Sequence, residues 1–126
     1  MSTSISSTLR TPHPSLPYRK IKEDILGPSY NLSLVFIGTK RAQKLNKEHR
    51  KKTYVPNVLS FPLNTHTGEI FITPARAHVE AKKYDLTPKG YIGFLFIHGL
   101  LHLKGYPHGA TMEKAEKRYI SKYKLK

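Results

Sequence analysis

The sequence contains no cysteine among its 126 residues. Disulfide bonds, cysteine-ligated zinc sites, iron–sulfur clusters and thiol nucleophiles are therefore excluded. The lack of disulfides fits a reducing, cytoplasmic setting. Long apolar runs are missing as well. The longest, from Tyr91 to Ile97, is far shorter than the roughly 20 residues of a membrane-spanning helix, so we expect no membrane anchor.

Acidic side chains are scarce, because 8 Asp and Glu residues against 22 Lys and Arg leave a formal net charge of +14. This excess predicts a polyanionic partner. Nucleic acid is the commonest such partner, since each phosphate that a cation neutralises releases counterions. An anionic membrane surface is the second interpretation, and charge that serves only solubility is the third.

The chain is predicted to contain a tail and one compact domain. Residues 1–17 combine Ser and Thr clusters with prolines and lack acidic side chains, which indicates a flexible tail. Residues 18–126 are long enough for a single core. Their apolar periodicity and turn residues predict helices at 18–26, 39–49, 74–85, 87–104 and 111–123, and strands at 30–37, 57–61 and 69–73. The last two strands are expected to form a hairpin, with Pro62 ending the first of them.

Two histidines interrupt the most apolar segment of the chain. From Thr87 to Lys104 the sequence is apolar nearly all round, which is typical of a helix buried at the centre of a fold. His98 and His102 are four residues apart, so a helix would place both imidazoles on one face at a spacing that suits a single metal ion. Past the turn predicted at Gly105, His108 can add a third nitrogen. Three protein ligands leave one open position on a tetrahedral zinc ion, which is the arrangement of a catalytic site.

Ordinary core histidines are the alternative interpretation of this cluster. Each buried imidazole would then need its own hydrogen-bond partner, whereas a shared metal ion satisfies both at once. A zinc protease would carry the HExxH motif, whose glutamate is the general base. That position is Gly99 in this chain, so peptide hydrolysis is not expected.

The segment HGLLHLKGYPH, from His98 to His108, closely resembles the HGxLHLxGYDH signature of the YbeY endoribonuclease family, which are bacterial rRNA maturation factors. Two further segments agree with that family. Arg50, followed by NVLSFP at Asn57–Pro62, is similar to one block, and TGEIFI at Thr67–Ile72 is similar to another. The segments follow each other in the family's order and spacing.

The resemblance implies an α+β fold, in which a small mixed sheet of about four strands packs with helices around the histidine-bearing one. It also implies one zinc ion, single-strand endoribonuclease activity, maturation of the small-subunit rRNA 3′ end, and ribosome quality control. The partners implied are a single-stranded rRNA precursor and the small ribosomal subunit with its proteins. His98, His102 and His108 match the zinc ligands, and Arg50 matches the arginine that acts on the scissile phosphate. Arg50 and His98 are therefore the candidate catalytic residues.

One position departs from the signature. Pro107 stands where the family has aspartate, which removes a carboxylate that could orient a metal ligand, and Glu113 and Glu116 remain nearby. A ribosome- or RNA-binding factor that keeps zinc for stability, with little or no hydrolytic activity, is accordingly the alternative function. A metallohydrolase with another substrate is a third.

Basic residues around Arg50 are the candidate RNA contacts, because RNA held without sequence preference is bound mainly through phosphates and stacked bases. The candidates for phosphate binding are Arg41, Lys44, Lys47, Lys51 and Lys52. Tyr54 or Phe61 is the candidate for base stacking.

Overall fold

The computed structural model describes residues 3–9 and 12–126. Within them, four strands form one mixed sheet: β1 (Thr3–Ser7), β2 (Asn31–Phe36), β3 (Val58–Asn64) and β4 (Thr67–Ile72). The order across the sheet is β1-β2-β4-β3, and β2 runs parallel to both of its neighbours. The β3–β4 pair is antiparallel and forms the predicted hairpin. The expected α+β class with a small mixed sheet is confirmed.

Five α-helices lie in the described part of the chain, close to the predicted ranges. They are α1 (Tyr18–Leu26), α2 (Thr39–Arg50), α3 (Pro74–Glu80), α4 (Pro88–Lys104) and α5 (Ala110–Lys122). A 3₁₀ turn at Ala81–Tyr84 follows α3, so the helix expected through residue 85 changes its hydrogen-bond pattern before it ends. None of the helices in the described residues has the length and apolarity of a membrane span.

Helix α4 is the centre of the fold, as its sequence predicts. It contacts α1, α3, α5, β3 and β4, and its side chains Phe96, Ile97 and Leu100 are fully buried. A local signal determines where the helix begins. The Thr87 hydroxyl accepts a hydrogen bond from the Gly90 N–H at 3.0 Å and so caps the first turn.

The first strand corrects one expectation, because part of the segment predicted as a flexible tail, residues 1–17, is a strand of the sheet. Thr3–Ser7 pairs in parallel with β2, with Ile5 opposite Leu34, and the Thr8 N–H extends the pairing by donating to the Phe36 carbonyl at 3.1 Å. A short, largely exposed edge strand needs no alternating apolar pattern, because ladder hydrogen bonds to an existing strand stabilise it. Residues 1, 2, 10 and 11 lie outside the described residues.

The strand β3 continues past Pro62, which was expected to end it. The register shifts between Pro62 and Asn64, and β3 lies at the edge of the sheet. Proline is tolerated at an edge because the N–H that it lacks has no partner strand there, and a bulge absorbs the irregularity.

Candidate metal centre and cleft

The last turns of α4 hold the first two histidines of the site. Leu100 and Leu101, between them, are buried in the core, so the helix cannot rotate without exposing them. The rings of His98 and His102 lie with centroids 4.6 Å apart, and their Nε2 atoms are 3.1 Å apart. The four-residue spacing therefore brings two imidazoles together as predicted.

The third histidine reaches the same point through a tight turn. Gly105 has a φ of 109°, a left-handed conformation that favours glycine and ends α4. His108, three residues later, lies with its ring 4.3 Å from that of His102 and 5.3 Å from that of His98. One ligand atom from each histidine lies within 4.8 Å of the others. The predicted three-histidine cluster is present in the fold.

A carboxylate from α5 supports this cluster. Glu116 is 7% exposed, and its Oε2 lies 2.5 Å from Nδ1 of His98. An ionised carboxylate can only accept, so this contact favours the tautomer with the proton on Nδ1, in which Nε2 keeps its lone pair for a metal ion. Pro107 is exposed, and Glu116 supplies for His98 the orienting carboxylate whose loss the Pro107 position suggested.

The electrostatics of His102 favour a neutral ring. Burial, with smaller contributions from the nearby His98, His108 and Arg50, lowers the pKa of His102 to about 4, although a backbone hydrogen bond at Tyr106 acts in the opposite direction. At neutral pH the imidazole is therefore uncharged. A neutral imidazole is the form that binds metal ions.

Packing explains why the motif has glycine at its second position. A Cβ at Gly99 would lie 3.0 Å from the Ile70 Cδ1 atom of β4, which is tighter than an ordinary van der Waals contact. Helix α4 approaches the sheet closely at this point. The glutamate of the protease motif would therefore point into the core rather than toward a substrate.

The three histidines line an open cleft of about 470 Å³. Arg50, at the C-terminal end of α2, lines the same cleft. Arg50 is exposed, and it forms no ion pair with another of the described residues. The full lining is Arg50, Tyr54, Asn57, Val58, Leu59, Ser60, Pro62, His98, His102, Leu103 and His108.

Asn57 is a residue of this cleft whose importance the sequence analysis missed. Its amide donates to Glu80 Oε1 at 2.9 Å, and the Tyr91 hydroxyl donates to the same oxygen at 2.9 Å. Arg76 donates to the other carboxylate oxygen at 2.8 Å. Burial alone raises the pKa of Glu80, but these three hydrogen bonds hold it below the ordinary value. Glu80 thereby ties the loop before β3 to α3 and α4.

The candidate RNA contacts do not share one surface. Tyr54 is 53% exposed and lines the histidine cleft. Lys44 and Lys47 instead border a separate groove on the outer side of α2, together with Lys40. The remaining candidates, Arg41, Lys51 and Lys52, are exposed near α2 and do not line the cleft. Phe61 packs edge-on against Phe71 of β4 at 5.9 Å, so its ring belongs to the sheet face.

Fold and site together define an α+β protein with a three-histidine cluster beside an arginine-lined cleft. The sequence profile described as Endoribonuclease YbeY matches residues 11–124. This chain belongs to the YbeY family.

Individual relatives agree with this assignment. The Endoribonuclease YbeY of Mesoplasma florum is 41% identical over 110 residues, which cover 79% of this chain and 62% of the relative. That of Alkaliphilus metalliredigens is 37% identical over 102 residues, covering 72% and 66%. The chain thus spans less than two thirds of the length of these relatives.

A solved structure is similar in fold. A Thermotoga maritima protein determined in solution superposes with a TM-score of 0.64 at 21% sequence identity, covering 94% of this chain and 87% of the other. The mixed sheet with its central helix is therefore an arrangement already seen by experiment.

Proposed function

We propose that this protein is a zinc-dependent, single-strand-specific endoribonuclease. In this proposal it acts in the cytoplasm on precursor rRNA, in maturation of the small-subunit rRNA 3′ end and in ribosome quality control. The observation that carries the proposal is the meeting of three histidines and Arg50 at one cleft in a YbeY-family chain. The curated relatives bear the name endoribonuclease.

The donor set fits a zinc ion held by His98, His102 and His108. All three ligands are imidazoles, which suit zinc, and tetrahedral Zn–N bonds of 2.0–2.1 Å require nitrogens about 3.4 Å apart. The 3.1 Å separation of the His98 and His102 nitrogens is close to that requirement. When bound, zinc would act as a Lewis acid on the phosphoryl group and on its attacking oxygen.

Arg50 is the proposed phosphate-binding residue. Its planar guanidinium can donate two hydrogen bonds to a phosphate and so stabilise the negative charge that grows on it during cleavage. Arg50 and His98 both line the cleft, so both can face a phosphodiester that is bound in it. The catalytic roles of both residues belong to this proposal.

Cleft size supports single-stranded RNA as the substrate. A volume of about 470 Å³ is in the range of small-ligand pockets, so an unpaired nucleotide can enter. A duplex keeps its bases stacked inside and presents only its outer surface. Tyr54, which is exposed in the cleft, offers a ring on which an unpaired base can stack.

The experiment is cleavage of end-labelled single-stranded and duplex RNA by zinc-loaded protein. The proposal expects cutting of single strands, loss of cutting on chelation, and no cutting by His98→Ala. His66→Ala, which changes an exposed histidine far from the cluster in sequence, is the matched control and should cut normally.

Two results would oppose the proposal. Equal cutting by wild type and His98→Ala would identify the activity as a contaminant. Bound zinc and salt-sensitive RNA binding without any cutting would favour the alternative, a zinc-stabilised ribosome- or RNA-binding factor.

A further inference from the structure

The histidine cleft continues into a second groove on the side away from Arg50. This groove has a volume of about 250 Å³ and shares Asn57, Val58, His98 and His108 with the cleft. Beyond it lies an outer apolar groove of about 350 Å³. A chain that enters at Arg50 can therefore extend past the histidines without leaving the surface.

Three aromatic rings stack along these two grooves. Tyr84 and Tyr91 have centroids 5.4 Å apart with planes 12° from parallel, and Tyr91 and Phe94 have centroids 5.7 Å apart at 23°. The ring of Phe94 lies 6.1 Å from that of His98. Tyr91 is 3% exposed whereas Tyr84 is 61% exposed, so the stack ends on a ring open to solvent.

The charges along the two grooves differ from those of the cleft. Arg50 gives the cleft a cation that suits phosphate, but the ionisable groups of the outer groove besides its tyrosines are Glu113, Glu116 and Lys117. A phosphate would meet carboxylates there. A flat, uncharged group is favoured instead, because it can cover apolar ring surface without carrying negative charge.

We propose that the outer groove, along which Tyr84, Tyr91 and Phe94 stack, is a nucleobase-binding subsite. It takes the base of an unpaired nucleotide next to the one whose phosphate is held at Arg50. The subsite deepens the proposed function and relies on it for RNA as the ligand. Base stacking on aromatic rings is tolerant of sequence, because every base has a flat face, so the subsite selects unpaired nucleotides rather than one base.

The test uses short 2′-O-methyl RNA strands, which lack the free 2′-hydroxyl, with the fluorescent base 2-aminopurine at successive positions. Stacking on a protein ring quenches this base. The wild type should quench it at the position that stacks on Tyr54 and at the position that stacks on Tyr84, and much less elsewhere; the quenching at the second of these positions reports the subsite. Tyr84→Leu, which removes the ring but keeps apolar bulk, should lose that quenching and raise Kd about fivefold or more. Tyr84→Phe keeps the ring and should behave as the wild type.

Unchanged quenching and Kd in Tyr84→Leu would overturn the subsite, and so would equal quenching at every position. Circular dichroism spectra and zinc content are measured for each variant to confirm the fold. Because binding is measured without cleavage, failure of the two proposals can be told apart. Position-specific quenching without cleavage in the labelled-RNA assay leaves the subsite and removes the nuclease, whereas cleavage with no such quenching does the reverse.

Discussion

Helices α2 and α4 line the same cleft, yet they differ in almost every physical property. Ten of the 17 residues of α4 are buried, whereas α2 buries only Ala42 and Asn46 of its 12. The exposed face of α2 carries a dense set of cations, and its last residue is Arg50. His98 and His102 thus extend from a core helix into the cleft, whereas Arg50 lies on the surface.

The difference in burial between α4 and α2 suits their residues to different ligands. Core packing of α4 positions His98 and His102, and Glu116 orients the ring of His98, and such preorganisation suits a metal ion that needs fixed geometry. Arg50 depends on its own flexible side chain, which can adjust to RNA phosphates. Changes in α4 should therefore affect metal binding, while changes in α2 should affect RNA binding and rate.

Replacing a histidine of α4 should abolish zinc binding. In His102→Ala two ligands remain, so we expect zinc to be lost during purification and cleavage to fall below detection. Metal analysis and the labelled-RNA assay measure both effects. His78→Ala, on the exposed side of α3, is the control and should retain zinc and activity. A zinc-loaded, active His102→Ala would remove this histidine from the ligand set.

Removing the Glu116 carboxylate that contacts His98 should weaken zinc binding without abolishing it. Glu116→Gln keeps the shape but loses the charge that holds the Nδ1 proton, so zinc affinity should fall about 10- to 100-fold. Competition with a chelator of known affinity measures this change. Glu113→Gln, an exposed neighbour on α5, should bind zinc as the wild type does. Equal affinities for the two variants would contradict the role given to Glu116.

The link between the loop of Asn57 and the core should be sensitive to acid. Hydrogen bonds hold the pKa of Glu80 below its ordinary value of 4.5 despite burial. The folded-state pKa is lower than the unfolded one, so this stabilisation is present above pH 4.5 and is lost as the pH falls through the folded-state value. At pH 7, Glu80→Gln should lower the free energy of unfolding by about 1 to 2 kcal/mol.

Denaturant titrations at neutral and acidic pH check this prediction. The difference between wild type and Glu80→Gln should shrink as the pH falls below 4.5 through the folded-state pKa of Glu80, because the wild-type carboxylate then becomes protonated as well. Glu23→Gln, on the exposed side of α1, is the matched control and should change stability little. A difference that stays constant with pH would show that the charge of Glu80 is not responsible.

The smallest effects should come from the outer side of α2. In the proposed function Lys44 and Lys47 each contact one phosphate, so Lys44→Ala and Lys47→Ala should each weaken RNA binding a few-fold for all sequences alike. The slope of log K against log salt is negative, and its magnitude should decrease by about 0.7 per lost contact for single strands. Fluorescence anisotropy across a salt series measures it, with Lys20→Ala of α1 as the control. Unchanged slopes would place the RNA path elsewhere.

The sequence was most informative where local rules dominate. The apolar run of α4, the Thr87 cap and the Gly105 stop are local signals, and the spacing of His98 and His102 follows from helix geometry. The three-histidine cluster could be predicted for this reason. The bounds of α1 follow from equally local periodicity.

Features that depend on distant partners were missed. The strand β1 has no apolar alternation of its own and forms on the edge that β2 offers. The contacts of Glu116 with His98 and of Glu80 with Asn57 join residues 18 and 23 positions apart. One sequence read by periodicity carries no signal for such pairs, because tertiary packing alone brings them together.

The division of roles between α4 and α2 is tested most directly by measuring zinc content and kcat/KM together for Arg50→Ala, with Arg19→Ala of α1 as the matched control. Arg50→Ala should keep the zinc content of the wild type and lose about 10²- to 10³-fold in kcat/KM, and Arg19→Ala should change neither. Cleavage by Arg50→Ala at the wild-type rate, or loss of its zinc, would contradict the assignment of the metal to the three histidines and of the phosphate to Arg50.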